Sequence, residues 1–258
     1  MISSFQQRLV SIDASAAPML CVATDYAADA GIERHAHRKH QLVYAVRGVM
    51  VVQTLAGQWV VPPTRAIWMP AGKVHWIRCV GEVRMRSLFV QPALARAVPR
   101  ELQVVGVSPL LRELIVAATA IAQPYPPGSR DARVMRLILD ELRTLPQLPL
   151  HLPQPSDSRL RAICDRLARQ PDDKRTLADW AVALGITTKT IQRVFARETG
   201  MTFGQWRQQL RLLRALERLA TGEKVLDVAM QLGYDSPSAF ATMFKRQFGC
   251  TPSQFFSG

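Results

Sequence analysis

One pattern of apolar residues and glycines occurs twice in the C-terminal part of the chain, and it limits the fold more than any other feature of the sequence. The first copy has apolar residues at helical spacing, a glycine, a second helical stretch and a closing glycine: Leu177, Trp180, Ala181, Leu184, Gly185, Thr187–Phe195 and Gly200. The second copy has the same order: Val225, Val228, Ala229, Leu232, Gly233, Ser236–Phe244 and Gly249. The copies are 49 residues apart, whether measured from Phe195 to Phe244 or from Gly200 to Gly249. A helix, a glycine turn and a second helix, repeated at a fixed distance, predict two helix-turn-helix units.

Short-range signals place the ends of the helices in each copy. Thr187 and Ser236 have side chains that cap helix N-termini, and Pro237 fits the first helical position. Gly185 and Gly233 suit the left-handed residue that ends the preceding helix. The sequence therefore predicts two second helices and a long helix that joins the copies: Thr187–Glu198, Ser236–Gln247 and Phe203–Ala220.

Composition and charge limit the class of protein. The 258 residues are enough for two domains, and the net charge of +13 favours a polyanionic partner, either nucleic acid or an acidic membrane. The longest nearly apolar run, Leu114–Ala122, is too short to span a bilayer, and Met1–Val10 lacks the build of a signal peptide. We therefore expect a cytoplasmic protein with no membrane partner. The four cysteines are far apart and form no CxxC pair, which favours reduced thiols over a disulfide or zinc framework.

The first hundred residues have the pattern of a β-domain. Short strand-like runs are separated by turn signals such as Arg47-Gly48 and Gly81-Glu82. The runs are Gln41–Val46, Val49–Thr54, Gln58–Val61, Ala66–Met69, Val74–Val80 and Val83–Val90. Strands this short and evenly spaced predict an antiparallel β-barrel or sandwich over residues 1–100.

Three histidines in this region have the spacing of a ligand set. His35 and His37 share a face if the backbone is extended, Gln41 has the same parity, and His75 follows Pro70-Ala71-Gly72 on a later strand. This arrangement resembles the cupin signature, which implies a cupin-like barrel with His35, His37, Gln41 and His75 as the ligands of one divalent ion. Gln41 stands where the signature usually has glutamate, and imidazole ligands favour a transition metal. The same residues could instead line a small-molecule pocket or be hydrogen-bonded core groups.

The middle of the chain contains two helices and a spacer. Pro109–Gln123 and Arg130–Leu145 have helical periodicity. In the second helix a mostly apolar stripe contains Val134, Leu137, Ile138, Glu141 and Leu142. Residues 101–145 therefore either pack on the barrel or pair with their copy in another subunit. Four prolines within residues 146–155 predict a semi-rigid linker.

The C-terminal residues 156–258 resemble the DNA-binding domain of the AraC/XylS family of transcription regulators. The resemblance spans about 100 residues and is carried by the following segments: Thr187–Phe195, Glu198-Thr199-Gly200, Trp206-Arg207, Arg211–Ala215, Val228-Ala229, Gly233–Phe240, Phe244-Lys245, Phe248-Gly249 and Thr251-Pro252. It implies an all-α double helix-turn-helix domain. With the barrel, the predicted fold class is α+β in two domains. Dimerisation through helices that follow the barrel is common among regulators of this kind, so the resemblance also favours a homodimer.

Two helix faces are predicted to contact DNA, because their apolar sides would be buried. The outward residues are Thr188, Lys189, Gln192, Arg193 and Arg197 in the first copy, and Ser238, Ala239, Thr242, Lys245 and Arg246 in the second. Gln192 can pair with adenine, and Arg193 or Lys189 with guanine. The small side chains of the second copy predict more backbone anchoring, with Lys245 and Arg246 on phosphate. For the arginines at 207, 211, 214 and 218, ion pairing on a solvated face is favoured over phosphate contact.

The function predicted from these features is a one-component, sequence-specific transcriptional regulator without enzymatic activity. Its expected partners are double-stranded DNA, a small-molecule or metal effector and, where it activates transcription, RNA polymerase. The alternative is a cupin metalloenzyme fused to a DNA-binding module. A third reading, in which the basic surface binds other proteins or membranes, does not account for two glycine-turned helix pairs.

Overall fold

The computed structural model describes residues 4–95, 101–143, 147–148 and 150–255. The predicted domain limits at residues 1, 100, 145, 146 and 258 lie outside these described residues. The chain forms two compact units. The N-terminal unit contains residues 1–55 and 61–149, and the C-terminal unit contains residues 56–60 and 150–258.

In chain order the elements of the first half are α1 (Ser4–Ala14), β1 (Met19–Tyr26), β2 (Gly31–His35), β3 (His40–Thr54), β4 (Gly57–Val61), β5 (Arg65–Met69), β6 (His75–Val90), β7 (Gln103–Gly106), α2 (Pro109–Ala118) and α3 (Arg130–Leu142). The remaining elements are β8 (Gln147–Leu148), β9 (His151–Pro153), α4 (Ser158–Arg169), α5 (Leu177–Leu184), α6 (Thr188–Thr199), α7 (Phe203–Ala220), α8 (Val225–Gln231), α9 (Pro237–Phe248) and α10 (Pro252–Phe255).

The N-terminal unit is built on an antiparallel sheet, which confirms the predicted α+β class and its cupin-like sheet. The strands are paired in the order β1-β6-β3-β5-β7-β8, and β2 pairs with β6. Among the described residues no pair joins β1 to β8, so the sheet is open where a closed barrel was predicted. Two predicted pairs of short strands are single long strands, β3 and β6.

The long strands bend where turns were predicted. The pairing of β3 with β6 shifts register on both sides of Arg47, and Gly48 has a φ of 80°. A Cβ at Gly48 would overlap the carbonyl oxygen of Glu82 on the facing strand. The two glycine dipeptides therefore lie opposite each other, and together they bend a continuous ribbon instead of ending four strands.

Helices α2 and α3 pack on this sheet. Leu111 and Ile115 of α2, together with Met135 and Ile138 of α3, belong to the same buried cluster as Trp68 of β5. The buried side of α3 also includes Leu139 and Leu142, whereas Leu137 of the predicted stripe is 42% exposed. The periodicity was therefore right for the helix, but its buried face lies to one side of the predicted stripe.

The predicted linker has more structure than a solvated spacer. In the N-terminal unit β8 pairs with β7. In the C-terminal unit β9 pairs with β4, the rings of His151 and Trp59 stack 4.3 Å apart, and Leu152 is buried. The indole Nε1 of Trp206 donates to the carbonyl oxygen of Pro153 at 2.8 Å. The backbone is extended over His151–Pro153, and Leu150 and Leu152 are buried.

The C-terminal unit is the predicted pair of helix-turn-helix motifs. Thr187 caps α6 by accepting from the backbone N–H of Thr190, and Ser236 caps α9 by accepting from that of Ala239. Gly185 and Gly233 have positive φ angles of 64° and 74°, as their positions after α5 and α8 require. The apolar sides of the helices meet in a core that contains Phe195, Trp206, Leu213, Phe240 and Phe244. None of the described helices is long and apolar enough to cross a membrane.

Candidate nucleic-acid interface and histidine cluster

Helix α6 presents the first predicted DNA-contacting face to solvent. Ile191, Val194 and Phe195 are buried, so the opposite side of the helix points outward. The five residues predicted for this face are all exposed: Thr188, Lys189, Gln192, Arg193 and Arg197. Lys189, Gln192 and Arg193 line one depression together with Gly204 at the start of α7. An amide and two cations thus share one concave surface.

Helix α9 presents the second face in the same way. Phe240, Met243 and Phe244 are buried, and the predicted set is exposed: Ser238, Ala239, Thr242, Lys245 and Arg246. Ala239, Thr242 and Arg246 line a second depression, and Gly204 belongs to its wall as well. The start of α7 therefore lies between the two predicted faces.

The second depression contains polar residues that the sequence reading did not include. Lys174 and Gln208 are exposed and line it, beside the phenol ring of Tyr234. Gln208 lies four residues after Gly204 and so occupies the same side of α7. That spacing was the available signal for Gln208. Lys174 lies in the loop before α5, and no local pattern marks it.

The arginines of α7 are bound within the C-terminal unit. Arg207 donates to the backbone carbonyls of Arg175 and Asp173, and Arg211 donates to the carbonyl of Pro171 at 3.1 Å. Arg214 pairs with Glu217 at 3.0 Å, and Arg218 pairs with Glu223 at 3.3 Å. These contacts agree with the expected ion pairing and add an anchoring role, because two of the arginines hold the loop before α5.

The three predicted histidines come together in the N-terminal unit. One nitrogen from each of His35, His37 and His75 lies within 4.8 Å of the others. The His35 and His75 rings are 4.2 Å apart between centroids, and these residues face each other across β2 and β6. His37 lies just after β2, where a strand was predicted, and is buried like His75. The set has the donors of a transition-metal site.

Backbone carbonyls fix the tautomer of all three imidazoles. Each Nδ1 lies 2.7–2.9 Å from a carbonyl oxygen, of Glu33 for His35, Lys39 for His37 and Lys73 for His75. Since a carbonyl oxygen only accepts, Nδ1 carries the proton and Nε2 carries a lone pair. His75 Nε2 is buried and has no hydrogen-bond partner among the described residues. Three basic nitrogens with carbonyl support behind them are the arrangement that metal-binding histidines have.

Gln41 completes the cluster through its amide. Its Oε1 lies 2.7 Å from His37 Nε2, and its Nε2 donates to Ser87 Oγ at 2.9 Å. With Nδ1 protonated, His37 Nε2 and Gln41 Oε1 both present lone pairs, which repel at this distance. The 2.7 Å separation is that of a hydrogen bond, so the amide is turned over and donates to His37 while accepting from Ser87. In this orientation Gln41 belongs to a polar core network, and to act as a metal ligand its oxygen would have to turn toward the ion.

Burial favours the uncharged form of two of the three histidines. Desolvation, followed by the charge on His35, lowers the pKa of His75 to about 3. Desolvation also lowers the pKa of His35 below its ordinary value. Neutral imidazole is the form that binds metal, so His35 and His75 are in their ligating state at neutral pH.

A small cavity adjoins the cluster. It has about 40 Å³ of water-accessible space, and His35, Gln41 and Ser87 form part of its wall. Most of the remaining lining is apolar, and it comes from α1 and from strands of the sheet. The N-terminal unit therefore has room for a small ligand beside the histidines.

Comparisons with known proteins agree with both parts of the chain. Residues 17–180 match the family model of an AraC-like ligand binding domain, and residues 180–258 match that of a helix-turn-helix domain. The HTH-type transcriptional regulator NimR of Escherichia coli (strain K12) is 37% identical over 225 residues, covering 86% of this chain and 81% of NimR. The regulatory protein SoxS of the same organism is 44% identical over 66 residues, covering 25% of this chain and 62% of SoxS. Among solved structures, ToxT from Vibrio cholerae has 10% identity and a TM-score of 0.39, covering 93% of this chain and all of ToxT.

The family assignment follows from the two family models and from NimR, together with the two exposed helix faces. The ligand-binding model alone covers more than half of the chain, and NimR matches over most of both sequences. The resemblance found in the sequence is confirmed, and so is the predicted function as a DNA-binding regulator. The chain belongs to the AraC family of transcriptional regulators, which bind DNA and often respond to small-molecule effectors.

Proposed function

We propose that this regulator reads DNA with α6 and α9 and that the occupant of the histidine cluster sets its DNA affinity. One observation supports the role of the histidine cluster in sensing an effector. Three Nε2 lone pairs, with backbone carbonyls behind the rings, lie beside a cavity. Both are in the unit that matches a ligand-binding domain. The DNA part rests on ten exposed residues on two capped helices.

The two readers have unequal roles in this proposal. Lys189, Gln192 and Arg193 carry side chains that make two hydrogen bonds to a base edge, so α6 is the main sequence reader. Ser238, Ala239 and Thr242 are short, and α9 therefore contributes more anchoring. Contacts to the sugar-phosphate backbone are assigned to the remaining polar residues of the two faces, Thr188, Arg197, Lys245 and Arg246.

The metal proposal uses the same four residues as the sequence prediction. His35, His37, Gln41 and His75 would hold one divalent transition ion, for which imidazole nitrogens are good ligands. Nitrogens bound to a single zinc ion lie roughly 3.3 Å apart, given Zn–N bonds of about 2.0 Å. Occupancy would therefore draw together nitrogens that now lie within 4.8 Å of one another. A bound ion would supply a fixed positive charge beside the cavity.

The pocket is assigned to sensing and not to turnover. None of the described residues that line the cavity is an aspartate or glutamate that could act as an acid or base beside the histidines. The regulator is assigned to the cytoplasm, where its DNA lies. Residues 1–100 form the sensor, residues 156–258 form the reader, and residues 146–155 connect them.

Homodimerisation is assigned to helices α2 and α3 within residues 101–145. Leu110 and Val116 of α2 and Leu137 of α3 are 51%, 37% and 42% exposed, beside the buried sides of the same helices. Where the regulator activates transcription, RNA polymerase is its further partner.

Metal content and DNA affinity of the purified full chain test the proposal. After incubation with zinc chloride and dialysis, we expect about one zinc ion per wild-type chain and none in the double variant His35→Ala/His75→Ala. The control His40→Ala removes an imidazole that stacks on Trp68 outside the cluster, and it should keep its zinc. DNA fragments selected with the wild-type protein are then titrated with and without zinc. Equal zinc in the wild type and the double variant would remove the metal site, and equal DNA affinity in all states would remove its control of binding.

A further inference from the structure

We propose that the cavity beside the histidine cluster binds a small organic anion, a monocarboxylate with a short apolar body, whose charge is met by Arg8. This inference rests on the proposed sensing function and specifies the ligand class of that site. The metal, where present, and the anion would be neighbours in one cavity.

Helix α1 supplies one wall of the cavity. Phe5, Arg8, Leu9 and Ile12 all line it and follow the i, i+3, i+4, i+7 spacing of one helix face. The Phe5 ring packs edge-on against the His35 ring, with 5.0 Å between centroids. This face of α1 therefore contacts His35, and Arg8 lies one turn further along it.

The charge of the lining is positive. Of the fourteen residues that line the cavity, Arg8 is the one with a permanent charge, and none is an aspartate or glutamate. Arg8 donates to the neutral Thr24 Oγ1 at 2.7 Å and makes no ion pair with any described residue. Three carboxylates are next in sequence to lining residues: Asp25 pairs with Arg86 at 2.8 Å, Asp13 accepts from the Arg38 backbone, and Glu33 is exposed on β2. Arg8 is exposed and also lines the cavity, so its guanidinium, which has no counter-charge among the described residues, is accessible to an anion.

A second donor lies near Arg8. Tyr26 lines the same cavity, and the charge of Arg8 offsets part of the rise that burial causes in the pKa of the Tyr26 phenol. Because burial raises this pKa more than Arg8 lowers it, the phenol stays protonated and can donate to an oxygen that Arg8 also binds. A carboxylate has two such oxygens, and a guanidinium binds them side by side.

The rest of the lining determines the body of the ligand. Val22, Ile77, Met85 and Phe89 are apolar walls opposite α1. A water needs roughly 10–15 Å³ of such space, so the 40 Å³ present holds about three. The ligand is thus a few heavy atoms long, and burial of its apolar part against these walls stabilises the complex. Butyrate has this size and charge.

Calorimetric titration of the full chain with sodium butyrate tests the site, and butyramide is the neutral ligand of the same shape. We expect butyrate to bind at least about tenfold more tightly than butyramide, as a charge-assisted hydrogen bond implies. Arg8→Gln should weaken butyrate binding by a similar factor. Arg47→Gln, which removes a guanidinium that is 63% exposed and pairs loosely with Glu82, should leave it unchanged.

The outcomes separate this inference from the proposed function. Equal binding of butyrate and butyramide by the wild type, or unchanged butyrate binding by Arg8→Gln, overturns the anion site, and the first of these comparisons requires no variant to fold. Zinc content is measured on the same samples. A protein that keeps its zinc but does not distinguish the two ligands lacks the anion site and retains the metal site. A protein that distinguishes butyrate from butyramide but holds no zinc has the anion site and lacks the metal site.

Discussion

Arg193 and Gln192 are the side chains whose chemistry most directly specifies a base. Both are exposed on α6, and their backbone is held by the Thr187 cap at one end of the helix and by Gly200 at the other. A guanidinium binds the major-groove edge of guanine through two hydrogen bonds, and a carboxamide does the same for adenine. Discrimination by this protein should therefore depend on a few atoms of α6.

Replacing Arg193 with alanine should cost about 1–3 kcal/mol of binding free energy on a selected site and far less on random duplex DNA. Fluorescence anisotropy on the two duplexes at one fixed salt concentration measures the difference. Lys245→Ala is the matched control, because a phosphate contact contributes equally on both sequences. An equal loss on both duplexes for Arg193→Ala would reassign this residue to the phosphate backbone.

The sequence predicted the histidine cluster well but not the reason for its orientation. The cupin-like spacing predicted that His35, His37, Gln41 and His75 lie together, as they do in the structure, and their role as metal ligands stays a prediction. The hydrogen bonds from Nδ1 to carbonyls of Glu33, Lys39 and Lys73 depend on loop conformation, and no residue pattern encodes it. Arg8 was missed for a related reason. Its role depends on where α1 lies, and the first residues of the chain have weak periodicity.

At the level of secondary-structure elements, the bend of β3 and β6 shapes the sheet that carries the histidines. The turn signals at Arg47-Gly48 and Gly81-Glu82 were read as chain reversals, because a glycine with positive φ is typical of turns. In the structure the two dipeptides lie beside each other on the neighbouring strands β3 and β6. The positive φ of their glycines therefore produces a bulge and not a chain reversal. Only long-range pairing distinguishes these two uses of glycine, and a local pattern cannot.

The bend predicts a specific stability difference between two glycines of the N-terminal unit. Gly48 and Gly128 both have positive φ, at 80° and 73°. A Cβ added at Gly48 would overlap the backbone of Glu82, whereas a Cβ added at Gly128 would have no atom within 4 Å. Gly128→Ala should lower the free energy of unfolding by about 1 kcal/mol, and Gly48→Ala by about 3 kcal/mol or more. Urea unfolding followed by circular dichroism provides both values. Similar losses for the two variants would mean that the strands at Glu82 move apart at low cost.

At the scale of the whole molecule, two helix-turn-helix motifs are separated by one continuous helix. Helix α7 has 18 residues, which makes a rod of roughly 27 Å, and adjacent turns of the major groove are about 34 Å apart. The 49-residue repeat was enough to predict this arrangement, because each motif is built from local contacts. The assignment of residues 56–60 to the C-terminal unit was not predictable, since it depends on pairing between β4 and β9 across a long stretch of chain.

Selection of duplexes from a random library by the purified full chain tests whether α6 and α9 read DNA together. Two readers in successive major grooves predict an enriched sequence with two blocks whose centres are about 10 base pairs apart. The block read by α6 should be the more strongly conserved, and it should lose its guanine or adenine preference in Arg193→Ala or Gln192→Ala. A single block, or recovery of no preferred sequence, would contradict the account in which α6 and α9 read DNA together.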